Sequence, residues 1–209
     1  MNAKLYYLHD PMCSWCWGYS PTWQILQQHL PKSLIVEYVA GGLAPDSNVP
    51  MPIEQQQMLQ NYWRTIEQKL GTRFNHDFWL NNTPRRSTYN ACRAAIAADY
   101  QGCQQSMIKA IQQAYYLQAL NPSDLDVLIA LAQQLSEQTS VNFNVEQFIT
   151  DISSAETEKE LFRQIHLARG LSQQGFPSLV LEADGAYYQI KLDYLNYQTS
   201  LIDINDRLG

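Results

Sequence analysis

Cys13-Ser14-Trp15-Cys16 stands directly after a short apolar run and at the head of a helical pattern, a placement that constrains the fold more than any other feature of the chain. Lys4-Leu5-Tyr6-Tyr7-Leu8 has the aromatic and aliphatic content of a buried strand. Asp10-Pro11-Met12 interrupts it, and from Trp15 to Leu30 the apolar residues Trp15, Tyr19, Trp23, Ile25, Leu26 and Leu30 recur at helical spacing. A cysteine pair at a strand-to-helix junction has a chemical use. The free amide hydrogens and positive dipole end of a helix start face the first sulfur and favour its thiolate. The second sulfur, three positions on, sits almost one turn behind and within bonding reach. The placement predicts a pair that cycles between dithiol and disulfide.

The remaining chain changes period twice. Leu34-Ile35-Val36-Glu37-Tyr38-Val39-Ala40 reads as a strand covered on both faces and parallel to the first, and Gly41-Gly42 stops it. Residues 1–43 therefore form a βαβ unit. From Ala44 to Ser153 the spacing becomes helical: Met58, Leu59, Tyr62, Trp63, Ile66 and Leu70 form one stripe, and Tyr89 to Tyr100 is alanine-rich. Further helices carry Met107 to Tyr115, Leu125 to Leu135 and Val145 to Ile152. Residues 154–209 begin with a helix capped by Ser154. Strands follow at Ser178–Glu182 and Tyr187–Ile190, joined by the turn pair Asp184-Gly185, and a helix from Tyr194 to Leu208 closes the chain. The expected class is α/β, with a helical block (44–153) inserted between βαβ and αββα parts.

Composition narrows the chemistry. A net charge of −6 without a Lys/Arg cluster argues against nucleic-acid binding, and the adjacent pair Arg85-Arg86 reads as a surface feature at a helix start. Met1-Asn2-Ala3-Lys4 leads into the first strand without a secretory h-region, and no run of 18 apolar residues is present, so a cytoplasmic location is expected. In that compartment a Cys-x-x-Cys is catalytic or metal-binding before it is a structural staple. Zinc needs four ligands, and Cys92, Cys103 and four scattered histidines offer no second pair, so no metal is expected.

Three segments resemble the DsbA-type thioredoxin-fold proteins, in which a helical domain interrupts the scaffold. Asp10-Pro11-Met12-Cys13-Ser14-Trp15-Cys16-Trp17-Gly18 is similar to the Asp-Pro-x-Cys-x-Trp-Cys stretch of the FrnE-like branch and of bacterial proteins described as protein-disulfide isomerases. Gly42-Leu43-Ala44-Pro45 looks like that branch's junction after the second strand, and Gly175-Phe176-Pro177-Ser178 matches the family's cis-proline loop. The resemblance implies that Cys13 is the nucleophile and Cys16 the resolving thiol. It also implies that a cis Pro177 holds the backbone of Phe176 open to an extended peptide. Ser14-Trp15 departs from both the Pro-His and the Gly-Pro versions of the motif, and leaves the direction of reaction open.

Trp15, between the cysteines, is expected to be exposed and to touch substrate; Phe176 either touches substrate or packs inward. Cys92 reads as an inert buried thiol and Cys103 as a buried or a reactive surface thiol. His9 reads as a structural histidine or as a cation beside the thiolate. Compartment favours one direction: an oxidant near about −120 mV in a cytosol near about −280 mV would rest more than about five decades toward the dithiol. The expected activity is reduction or isomerisation of protein or peptide disulfides, without a bound cofactor and with glutathione as a candidate reductant. Two other classes fit the fold: a kappa-type glutathione transferase or 2-hydroxychromene-2-carboxylate isomerase, which generally place serine where Cys13 stands, and a non-catalytic chaperone-like binding protein.

Overall fold

The computed structural model describes residues 3–137, 142–172 and 174–209. Strand β1 (Lys4–His9) leads through a short turn into helix α1 (Ser14–His29), and the chain returns as β2 (Ile35–Ala40) parallel to β1. Six helices follow: α2 (Ile53–Leu70), α3 (Phe78–Asn81), α4 (Tyr89–Asp99), α5 (Gln104–Tyr116), α6 (Leu125–Ser136) and α7 (Val145–Ile152). Then come α8 (Ala155–Leu171), β3 (Ser178–Ala183), β4 (Ala186–Ile190) and α9 (Tyr197–Leu208). The sheet order is β2-β1-β3-β4, with β3 antiparallel to both β1 and β4. This is the α/β, thioredoxin-type arrangement expected, with a run of helices between β2 and α8. No helix among the described residues is long and apolar enough to cross a membrane.

Strand periodicity assigns the two faces of β1. Leu5 and Tyr7 pack with Tyr19, Trp23 and Leu26 of α1 and Ile204 of α9, whereas Tyr6 and Leu8 pack with Val39, Val180 and Ala168 of α8. The helical run has a core around Trp63, Phe78, Tyr116, Leu128 and Phe148. Packing crosses between the parts, because Ala95 and Ile108 join the sheet core and Met12 joins the helical one.

Helix α1 carries Pro21 in its interior, where proline leaves the carbonyl four residues earlier without its helical donor. That carbonyl, on Trp17, accepts the Ser20 hydroxyl at 2.8 Å instead. Gly18 lets α1 approach α2 closely: a Cβ there would meet Ile66 at 2.9 Å and Leu70 at 3.0 Å.

Several boundaries differ from the sequence reading. Helix α2 begins at Ile53, five residues before the stripe starting at Met58, since only Trp63 and Ile66 of this helix are buried and the rest shows no strong apolar face. The four-residue α3 is too short to show a period. Helix α9 begins at Tyr197, not Tyr194: Asn196 caps it by accepting the Gln198 amide, and Asp193 holds the preceding turn by accepting the amides of Leu195 and Asn196. Arg85 lies before α4 and pairs with Asp124, the residue preceding α6, so it joins two segments.

The end of β2 is keyed to the loop before β3. Gly41 donates its amide to the His9 carbonyl at 2.6 Å, and a Cβ on Gly41 would meet the Phe176 ring at 2.2 Å. Gly41→Ala should therefore cost roughly 1–3 kcal/mol of stability by overpacking. Gly170→Ala in α8, where a Cβ meets nothing within 4 Å, should be neutral or stabilising. Urea midpoints of the two variants against the parent chain check the pair.

Candidate active site

Three strand ends converge where β1 finishes. The pairing of Leu8 with Ser178 brings the start of β3 beside the end of β1, and Ala40 lies beside His9 on the other side. Between them the turn Asp10–Met12 delivers Cys13 to the N-cap of α1 in an extended conformation, φ −83° and ψ 116°. The Cys13 amide donates to the Asp10 carbonyl at 3.0 Å, and the Cys13 carbonyl accepts the Trp17 amide at 3.0 Å, which starts the helix. The Phe176–Pro177 bond is cis. The Phe176 carbonyl accepts the Cys13 thiol at a sulfur–oxygen distance of 3.5 Å. Cys13 thus meets the Phe176-Pro177 pair, 163 residues further along the chain, in one place.

Cys16 lies beneath them with no exposed surface, and all four cysteines are free thiols. Burial, and then the neighbouring Cys13 thiol, push Cys16 well above the ordinary cysteine range, so it holds its proton. Cys13 is itself 7% exposed, at a helix start against a loop carbonyl, and Cys16 is sealed behind it.

Trp15 is half-buried rather than exposed, because its ring packs edge-on against Tyr194 with centroids 5.4 Å apart. The loop carrying Tyr194 is fixed to α1 by the Thr22 hydroxyl, which donates to the Tyr194 carbonyl at 2.5 Å. The Phe176 ring is half-buried against Gly41 and the Tyr6–Leu8 face of the sheet, so what this residue turns toward Cys13 is its carbonyl. Trp23 and Trp63 are core, and Trp17 stacks on Tyr116 while donating its indole N–H to the Arg73 carbonyl at 3.0 Å. Cys103 is 8% exposed and donates to the Gln101 carbonyl at 3.3 Å, so it is not a surface thiol.

His9 fits neither of its expected roles. It is buried on the Tyr7 ring, stacked at 5.2 Å, and edge-on to Tyr38; burial lowers it to about 3, so it is neutral at physiological pH. Its Nδ1 has no hydrogen-bond partner among the described residues, so it is not a satisfied structural histidine either. Asp10, visible in the sequence only as part of a motif, is also fully buried. Its carboxylate accepts the amides of Met12 and Leu43 at 2.8 Å each and the Thr88 hydroxyl at 2.8 Å. No sequence signal linked Thr88 or Tyr194 to this place; only the fold brings them to it.

A four-stranded sheet in this order, with a helix-start cysteine pair facing a cis-proline loop, defines the thioredoxin-fold disulfide oxidoreductases. The family model described as thioredoxin matches residues 6–198, and the chain belongs to this family. A solved candidate protein disulfide isomerase from Nitrosomonas europaea superposes with a TM-score of 0.85 at 24% identity, covering 100% of this chain and 98% of that one. The cytosolic disulfide reductase DsbM from Pseudomonas aeruginosa, also solved with GSH, gives a TM-score of 0.76 at 24% identity over 99% of this chain and 100% of that one. A curated relative, the ClpXP adapter protein SpxH of Halalkalibacterium halodurans, is 24% identical over 187 residues. The match takes in 87% of this chain and 59% of the adapter's length.

The His9 environment makes a pH prediction. Its folded value of about 3 lies below its unfolded value near 6.5, so the unfolded chain binds the proton first as pH falls. The stability this neutral histidine contributes is complete above about pH 6.5 and is lost toward pH 3, at about 1.4 kcal/mol per unit through that window. His9→Phe keeps a ring to stack on Tyr7 and removes the proton site. Its acid-unfolding midpoint should fall to lower pH, and its stability should vary less steeply between pH 6 and 4 than the parent's.

Proposed function

We propose that the protein reduces or rearranges disulfides of proteins and peptides, with Cys13 as nucleophile and Cys16 as resolving thiol. The observation that carries this reading is the Cys13 thiol at the N-cap of α1, 3.5 Å from the Phe176 carbonyl. An extended substrate chain laid along that loop brings its disulfide to Cys13, while the sealed Cys16 is kept from attacking substrate itself.

The exchange balances in two steps. The Cys13 thiolate attacks one substrate sulfur, the substrate S–S bond breaks, and the departing sulfur takes a proton from solvent as a thiol. Cys16 then gives up its proton and its sulfur attacks Cys13, forming the Cys13–Cys16 disulfide and releasing the second substrate thiol. Substrate has gained two electrons and two protons, and the protein has lost them. A thiol reductant returns the protein to its dithiol form. We assign glutathione to that step, a reading supported by the structure of DsbM with GSH and by the description of that protein as a cytosolic reductase. The same likeness supports a cytoplasmic location, which suits the reducing direction. Trp15 and Tyr194 form one wall of the site in this reading, and the Pro177 loop the other.

The likeness to an adapter protein favours a second reading, in which the same surface holds a protein partner without turnover. Cysteine variants separate the two. In an insulin-reduction assay with glutathione, Cys13→Ser should abolish turnover. Cys16→Ser should slow it at least about 100-fold and accumulate mixed disulfides through Cys13, because the resolving step is removed. Parent-like turnover by Cys13→Ser would overturn the redox reading. Partner capture by Cys13→Ser, with no turnover by the parent chain, would establish the adapter reading.

A further inference from the structure

Asp10 ties together three segments that are distant in sequence. Its Oδ1 accepts the Met12 amide in the turn before Cys13, and its Oδ2 accepts the Leu43 amide from the loop after β2. The same Oδ2 accepts the hydroxyl of Thr88, the residue preceding α4, at 2.8 Å and the thiol of Cys92, one turn into α4, at 3.6 Å. Thr88 Oγ1 in turn accepts the Ala44 amide at 3.2 Å. Asp10 and Cys92 have no exposed surface and Thr88 is 2% exposed, so water does not replace any of these contacts. The other side chains that helix α4 buries, Tyr89, Ile96 and the alanines Ala91, Ala94, Ala95, Ala97 and Ala98, make no hydrogen bond to Asp10. Among the described residues, Thr88 and Cys92 are therefore the two side chains through which the helical block donates to the Asp10 carboxylate.

We propose that Thr88 and Cys92 are positioning residues for the Cys13–Cys16 pair: by donating to Asp10 they fix both the turn that presents Cys13 and the charge that faces Cys16. The inference rests on the redox reading of that pair. It also gives Cys92 a partner and a task, where composition suggested an inert thiol.

The electrostatics run the same way. Burial raises Asp10, and its four donors pull it back toward the ionised form. Burial raises Cys16 of α1, Cys92 of α4, and Tyr115 and Tyr116 of α5, and the charge of Asp10, which all four face, adds a smaller rise. His9, next in the chain, is neutral and does not compensate. A buried carboxylate that loses one donor takes up a proton at higher pH. Cys16 titrates higher still, where Asp10 is charged; a carboxylate with one donor fewer shares less of its charge, and the Cys16 proton leaves at higher pH.

The test uses the full chain. A mixed disulfide is formed between Cys13 and a small aromatic thiol that absorbs on release, and the rate at which Cys16 expels that thiol is followed against pH. Thr88→Val keeps the shape of the side chain and removes its hydroxyl; it should move the midpoint of this profile up by about half a pH unit. Thr88→Ser, which restores a hydroxyl, should return it to the parent value. Cys92→Ala should shift it in the same direction by less, and serves in place of Thr88→Val if that variant does not fold. Variants that lower the melting temperature but leave the midpoint unmoved would make Thr88 and Cys92 structural residues only, and would overturn the proposal. A parent chain that expels no thiol at any pH would instead overturn the redox reading on which the proposal stands.

Discussion

The antiparallel pairing of β3 with β1 is the constraint from which the site follows. Because β2 runs parallel to β1 and β3 runs against it, the end of β1 meets the end of β2 on one side and the start of β3 on the other. Leu8 opposite Ser178 fixes where the proline loop lies, and the turn leaving β1 has just enough residues to bring Cys13 to that loop's carbonyl. A register slip of one residue would turn Leu5 and Tyr7 to the α8 face and carry Phe176 away from Cys13. The pleat that buries the core and the geometry that sets one sulfur against the proline loop thus share one cause.

Gly41 and Asp10 secure that arrangement from two sides. Gly41 leaves room for the Phe176 ring directly over the backbone, so the loop can close onto the sheet with its carbonyl turned toward Cys13. Asp10 ties the turn to the helical block with donors from Met12, Leu43, Thr88 and Cys92. A fully buried carboxylate with fewer donors would carry a desolvation cost of several kcal/mol. Here the hydrogen bonds recover much of that cost and hold the insertion against the scaffold at the point where the chemistry is placed.

Most of the scaffold could be read from the chain because its signals are local. Lys4–Leu8 and Leu34–Ala40 are apolar runs of strand length, Asp184-Gly185 is a turn pair, and the cysteines stand at a helix start. The resemblance supplied the proline loop, and the fold placed it opposite Cys13. What could not be read depends on contacts across the fold. Trp15 is half-covered because Tyr194, 179 positions later by number, lies against it. His9 is neutral because the Tyr7 and Tyr38 rings surround it, which its position at a strand end does not reveal. Thr88 is an ordinary pre-helix threonine until the fold sets Asp10 beneath it.

On the proposed function, Cys13 and Cys16 act as one two-electron pair while Cys92 and Cys103 stay apart. The direct measurement equilibrates the full chain with mixtures of reduced and oxidised glutathione, quenches in acid, alkylates the remaining thiols, and identifies the disulfides by peptide mass spectrometry. One cooperative transition is expected, in which Cys13 and Cys16 become linked to each other, with Cys92 and Cys103 alkylated throughout. Glutathione accumulating on Cys13 with Cys16 still a free thiol, or a bond from either residue to Cys92 or Cys103, would contradict it.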